Sequence, residues 1–282
     1  MLRETAYAKI NLFLHVLGRR DDGYHLLESL VGFADFGDHL VFSPASTLSL
    51  RIDGPFADGL IAEDDNLILR AARLFAETFP NAATGHFTLE KHLPVASGMG
   101  GGSADAAAAL RLLARHNSIA LDAPDLMDCA RPLGADVPVC LFQQPRLMRG
   151  IGHDLGPVLN AKAQPALLVN PRVAVETRAV FARLCLKAGE RFAPPTLPAP
   201  GKILAGTRND LEGPAMAIAP VIGKALAEMR AQPGCRLARM SGSGATCFAV
   251  FEAEDVAQEA ASRLAHQYPN WWIRPTRITL PD

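Results

Sequence analysis

Between residues 98 and 103 the chain reads Gly98-Met99-Gly100-Gly101-Gly102-Ser103, and from Asp105 onward it becomes a run dominated by alanine and leucine. Glycine gathers where the backbone needs positive φ or where something must approach it closely. Ala106 to Ala109, Leu110, Leu112 and Leu113 are strong helix formers. The order is therefore glycine loop, polar residue, helix. The first N–H groups of such a helix lack internal partners and the macrodipole makes that end positive, so a phosphate is its natural ligand. Two familiar phosphate loops do not fit. The Walker pattern wants Lys after its last glycine, where this chain has Ser103, and the dinucleotide fingerprint wants a third small residue where Ser103 also stands. A flexible linker would not run straight into an apolar, capped helix. The loop is read as phosphate-binding.

Composition bounds the rest. A chain of 282 residues, 49% hydrophobic and 20% charged, can form two modest domains with cores of their own. Its formal net charge of −1 argues against a nucleic-acid or membrane partner, so an anion site must be local. The cysteines at 129, 140, 185, 235 and 247 are odd in number, widely spaced and without a CxxC pair, as reduced thiols would be. The N-terminal apolar run is broken by Lys9, Asn11 and His15 and has no cleavage pattern. The expectation is a soluble, cytoplasmic protein.

The elements that would position the loop follow from pattern. Thr5 to Leu17 suggests a strand, on which Lys9 and Asn11 face the same way. A lone strand lysine is ordinarily a solvated edge residue; on a central strand it needs an anionic partner. A charged turn at 18–23 precedes Tyr24-His25. Residues 30–42 suggest a strand, a turn at Gly37-Asp38 and a second strand, and with Ser46 to Ile52 the first quarter reads as largely antiparallel sheet with hairpin spacing. Asp64-Asp65-Asn66 opens a helix with apolar residues at 67, 68, 71, 74, 75 and 79. His86 to Leu89 is a strand, 104–115 the alanine-rich helix, and Pro124 starts another helix ending at Gly134. Asp136, taken alone, is a turn or cap residue, and 137–142 a short apolar strand. Later come strands within 143–159 and at Ala166 to Asn170, a helix from Thr177 carrying Phe181, and a proline- and glycine-rich loop over 189–206. A helix at 215–231 and a strand at Cys235 to Met240 lead to a second small-residue loop, Ser241 to Thr246. Strand 247–251, helix Glu254 to Gln267 and strand 271–280 complete the chain. Strands and helices in separate blocks argue for α+β.

Several ordered segments together resemble the GHMP kinase superfamily: AYAKINLFLHVLGRRDDGYHLLESL (6–30), NLILRAARLF (66–75), ASGMGGGSADAA (96–107), GADVPVCL (134–141), MRGIGHDL (148–155), NPRVAVETRAVF (170–181), RNDLE (208–212) and MSGSGATCFAVF (240–251). The resemblance implies a two-domain α+β fold, a ribosomal protein S5 domain 2-like N-terminal domain over 1–155 for ATP and a ferredoxin-like C-terminal domain over 156–282 for substrate. It implies ATP and Mg²⁺, with metal ligands left unassigned, and a small-molecule acceptor, a cytidine diphosphate-linked methylerythritol phosphorylated on its 2-hydroxyl. By the same resemblance Asp136 is the catalytic base and Lys9 its partner, holding the charged form and orienting the hydroxyl. Pro94, Ala96, Ser97, Gly98, Met99, Gly100, Gly101, Gly102 and Ser103 would bind ATP, with Asn66 and Leu67 on its adenine side. Tyr24 and Phe181 would sandwich the cytosine and His25 hydrogen-bond it, with Asn11 and Thr177 also on the substrate. The Ser241–Thr246 loop is expected to line the site. Departures are Ala104, where the family often has a second serine, Met99 for a frequent leucine, and His153 for a common glutamate. The alternatives are a mevalonate- or homoserine-type kinase, whose acceptors have no base to stack, and a nucleotide-binding module without catalysis.

Overall fold

The structure, a computed structural model, describes residues 1–60, 65–198 and 203–281. Asp64 at the expected helix start and residues 199–202 of the proline-rich loop lie outside the described residues. Among the described residues no helix is long and apolar enough to cross a membrane. Packing divides the chain into two compact units.

The first unit comprises Met1–Lys9, Phe36–Val95 and Gly100–Gln143. In its sheet the end of β2 (His25–Pro44) pairs antiparallel with β4 (Gly85–Glu90), from His39 opposite Glu90 to Pro44 opposite Gly85. Strand β3 (Ser49–Asp53) lies parallel to β4. This parallel pairing departs from hairpin spacing within a largely antiparallel expectation: α1 (Leu67–Thr78) intervenes between β3 and β4 and returns the chain to the end where β3 began. The Asn66 Oδ1 caps α1 by accepting from the Ile68 N–H at 3.0 Å, and Ile68, Leu69, Ala71, Ala72 and Phe75 form its buried face. Asn66→Ala should therefore cost about 1 kcal/mol, read as a lower unfolding midpoint.

Gly37 and Asp38 do not turn the chain; β2 runs through them. A Cβ on Gly37 would stand 2.1 Å from the Ala6 carbonyl oxygen, so glycine here admits the close approach of β1 (Leu2–Arg19), and Asp38 is fully buried. The alanine-rich segment is α2 (Gly101–His116), buried from Ala104 to Ala114, as befits a helix in the middle of a core. Its Arg111 donates to the Cys140 carbonyl at 2.7 Å and to Glu4 at 3.3 Å. After α3 (Pro124–Ala130) and a 3₁₀ turn (Arg131–Leu133), residues Val137–Phe142 form α4, where a strand was expected. Pro138 in the first turn supplies a helical φ and has no N–H to lose, and the Asp136 carbonyl accepts from the Cys140 N–H at 3.1 Å.

The second unit comprises Ile10–Asp35, Ala96–Met99 and Gln144–Asp282. It contains β5 (Arg146–Gly150), β6 (Asp154–Val158), β7 (Ala161–Asn170), α5 (Thr177–Ala182), α6 (Glu212–Ile218), α7 (Val221–Arg230), β8 (Cys235–Met240), β9 (Cys247–Phe251), α8 (Glu254–Gln267) and β10 (Trp272–Pro281). The order β10-β7-β9-β8 is antiparallel throughout, with helices between β7 and β8 and between β9 and β10, which is the ferredoxin-like arrangement. Leu167, Val169, Cys247, Ala249 and Phe251 pack against Ile222, Leu226, Met229, Ala257, Ala260 and Leu264 in one core. The expected 215–231 helix is two helices, because Pro220 has no N–H to continue the first. The start of β2 pairs with β5, Leu27 opposite Gly150 to Val31 opposite Arg146, and meets β10 at Ala34 opposite Ile278.

Candidate active site

In the first unit Lys9 Nζ lies 2.9 Å from Asp136 Oδ2. The lysine side chain is 5% exposed and the aspartate 33%, so the ammonium is sealed from below while its carboxylate can still be reached. Asp136 stands in the turn before α4 at its N-cap position, though its side chain makes no capping bond. Its backbone accepts the first helical bond, as a turn and cap residue does, while its carboxylate turns to the lysine. Next to it the Cys140 thiol is pushed up to about 12 by burial and by the Asp136 charge, which leaves it neutral and no nucleophile.

The same pair touches the glycine loop. A Cβ on Gly100 would stand 3.2 Å from Lys9 Cε and 3.5 Å from Asp136 Oδ2. Gly100 has φ +63 and precedes the first turn of α2, whose Gly101, Gly102 and Ser103 N–H groups have no helical partner. A Cβ on Gly102 would meet Leu67 Cδ1 at 3.4 Å, so Asn66 and Leu67 at the head of α1 stand beside this turn. Pro94 is buried and Ala96 exposed with φ 50. A carboxylate that can be reached, paired with a buried ammonium beside a helix start with free N–H groups, is an arrangement chemically able to hold a hydroxyl and a phosphate close together.

In the second unit the upstream part of the loop rests on Ser241–Thr246. The Ser241 Oγ donates to the Gly98 carbonyl at 3.0 Å and accepts from the Asn11 N–H at 3.1 Å. The Thr246 N–H donates to the Ser97 carbonyl at 3.1 Å. Asn11 Nδ2 donates to Ser29 Oγ at 2.8 Å. Asn209 Nδ2 donates to the carbonyls of Met240 and Gly242, both at 2.8 Å, and so holds the supporting loop itself. The sequence singled out RNDLE without assigning Asn209 this part.

Also in the second unit, the His25 and Phe181 rings lie with centroids 4.7 Å apart at 31°. Phe181 is half-buried against the core, while Tyr24 is 61% exposed and has no ring partner among the described residues. The structure thus brings Phe181 to His25 and leaves Tyr24 open. Burial first, and the Arg19 charge second, lower the His25 pKa below its usual 6.5, so the imidazole is neutral and keeps one donor and one acceptor nitrogen. Thr177 and Ser243 hydroxyls are 2.8 Å apart. His153 pairs with its neighbour Asp154 at 3.2 Å on the surface.

One set of residues went unread in the sequence. Lys91, between β4 and the loop, donates to both Asp38 and Asp105 at 2.6 Å. An aspartate inside an all-alanine buried stretch was the available signal, since such a position needs a partner.

The comparisons with known proteins show a small-molecule kinase that uses ATP. Two family models match, the GHMP kinases N terminal domain over residues 66–144 and the GHMP kinases C terminal domain over 196–270. The 4-diphosphocytidyl-2-C-methyl-D-erythritol kinase of Methylorubrum extorquens is 53% identical over 99% of both chains. A crystal structure of 4-(cytidine 5'-diphospho)-2C-methyl-D-erythritol kinase superposes with a TM-score of 0.80 at 34% identity, covering 98% of this chain and 99% of that one. A homoserine kinase from Cytophaga hutchinsonii shares the fold, with a TM-score of 0.68 at 15% identity over 98% of this chain and 96% of its own. The chain belongs to the 4-diphosphocytidyl-2-C-methyl-D-erythritol kinase family of GHMP kinases.

Proposed function

We propose that the protein transfers the γ-phosphoryl group of ATP to the 2-hydroxyl of 4-diphosphocytidyl-2-C-methyl-D-erythritol, in the non-mevalonate route to isoprenoid precursors. The observation that carries this reading is the 2.9 Å Lys9–Asp136 pair set against Gly100 at the head of α2. Asp136 accepts the hydroxyl proton as the oxygen attacks the γ-phosphorus, and ADP departs with the bridging oxygen. Lys9 holds the carboxylate in place. The N–H groups at the start of α2 hold the phosphates. Asn66 and Leu67 take the adenine side. Magnesium would enter with the nucleotide as part of the substrate and would offset phosphate charge there. The two model matches fall on either side of residue 155, which supports reading 1–155 and 156–282 as two domains; the first is proposed to bind ATP and the second, with Asn11, Tyr24 and His25 of the first, the substrate.

The cytosine is proposed to lie against Phe181 and His25, with Tyr24 free to close over its other face and Asn11 and Thr177 on the remainder of the substrate. Base stacking on an aromatic ring is worth about 1–3 kcal/mol. Phe181→Ala should therefore raise the acceptor KM about fivefold to a hundredfold and leave the ATP KM within about twofold. Titration of the two substrates separately checks this, and CDP should inhibit competitively against the acceptor. An equal rise in both KM values would mean that Phe181 serves only the core.

A further inference from the structure

Beneath the first turn of α2 lies a cluster of charge that the reaction above does not use. Lys91 Nζ is 2.6 Å from Asp38 Oδ2 and from Asp105 Oδ2, and no one of the three side chains is more than 6% exposed. A Cβ on Gly101 would stand 3.2 Å from Lys91 Nζ and 3.8 Å from Asp38 Oδ2, so the cluster touches the backbone that offers its N–H groups to phosphate. Asp38 Oδ1 accepts from the His92 N–H at 2.6 Å and the Leu93 N–H at 2.8 Å, which fixes the strap leading into the loop. Asp105 Oδ1 is buried without a partner. Two carboxylates thus face one ammonium, an imbalance that apolar side chains of similar size would avoid.

We propose that Lys91 and Asp105 are positioning residues for the nucleotide phosphates: the clamp fixes the strap and the first turn of α2, and the proton on Asp105 sets how much negative charge stands behind that turn. The inference rests on reading the start of α2 as the triphosphate site. Burial, with Asp38 adding to it and Lys91 opposing, pushes Asp105 up to about 7. Lys91 remains a cation because its two carboxylates outweigh its burial. The other titratable groups nearby are the Lys9–Asp136 pair on the Gly100 side, the neutral Cys140 thiol, and His92, whose ring lies 3.1 Å from Glu90 and against His39. Below about pH 7 the cluster sums to zero; above it, ionised Asp105 leaves a net negative charge opposite a polyanion. Nucleotide binding weakens as pH rises, and bound phosphate in turn retains the Asp105 proton.

The test is direct binding of a non-hydrolysable ATP analogue with Mg²⁺ to the whole protein, without acceptor, from about pH 6 to 8.5. Wild-type Kd should rise about fivefold or more across that range, while Asp105→Asn changes by less than about twofold after the same analogue titration is subtracted. Asp38→Asn leaves one carboxylate for one ammonium and should also flatten the curve, which keeps the test open if Asp105→Asn does not fold. Parallel curves for wild type and a folded variant overturn the proposal and leave the phosphate site standing. Failure of the wild type itself to bind the analogue overturns both.

Discussion

Asp136→Asn is expected to bind ATP as the wild type does and to turn over at least about a hundredfold more slowly. The amide has the shape of the carboxylate, so the loop, α4 and the neighbouring Gly100 backbone have no reason to move. What it lacks is the basicity to take a proton from an alcohol. General-base catalysis contributes about 10² to 10⁴ in rate, and the proposed base is the carboxylate 2.9 Å from Lys9. Single-turnover phosphoryl transfer, measured beside ATP affinity, separates the two effects. Near wild-type turnover removes Asp136 from the role of base, and a loss confined to ATP affinity gives it to phosphate binding instead.

Gly98→Ala should be nearly as damaging, by a different route. Gly98 has φ +77, and a Cβ there would lie 2.4 Å from the Ser241 carbonyl oxygen, 2.8 Å from the Gly244 carbonyl oxygen and 2.9 Å from the Gly244 nitrogen. All three are backbone atoms of a loop held by Asn209, so they cannot swing aside as a flexible side chain would. The strained φ alone costs about 1–3 kcal/mol, and the steric displacement adds to it. A loop moved by about 1 Å can cost about a hundredfold in rate, and kcat/KM for ATP is expected to fall by at least that much. Gly213→Ala is the matched control. Nothing lies within 4 Å of its added Cβ, and it stands in α6, where alanine is the better helix former. Its kinetics should be unchanged and its unfolding midpoint level or slightly higher.

How much of this was legible beforehand divides by the range of the interaction. The glycine loop and α2 could be read directly, because the glycines, Ser103 and the alanine run are local signals for one local structure. The long helices at 67–78 and 254–267 were legible for the same reason. Lys9 and Asp136 came only through resemblance, since their pairing joins residues far apart in the chain. Asp38 was misread as a turn because Gly37-Asp38 has turn composition, while its partners, Lys91 and the His92 and Leu93 backbone, lie more than fifty positions on. Val137 to Phe142 was misread because an apolar run of six residues has no period to distinguish helix from strand, and only Pro138 at its start hinted at the answer. Phe181 and His25 were named together with Tyr24, but that Phe181 meets His25 while Tyr24 stays exposed is a matter of packing within the unit. Lys91 escaped notice because a lysine beside a strand end has no local signature of burial.

The most direct measurement is phosphoryl transfer from γ-labelled ATP to 4-diphosphocytidyl-2-C-methyl-D-erythritol, run beside mevalonate and homoserine at equal concentration. The proposed function predicts label on the 2-oxygen of the cytidine-bearing alcohol and background for the other two. Comparable labelling of mevalonate or homoserine, or none of the cytidine compound, contradicts it.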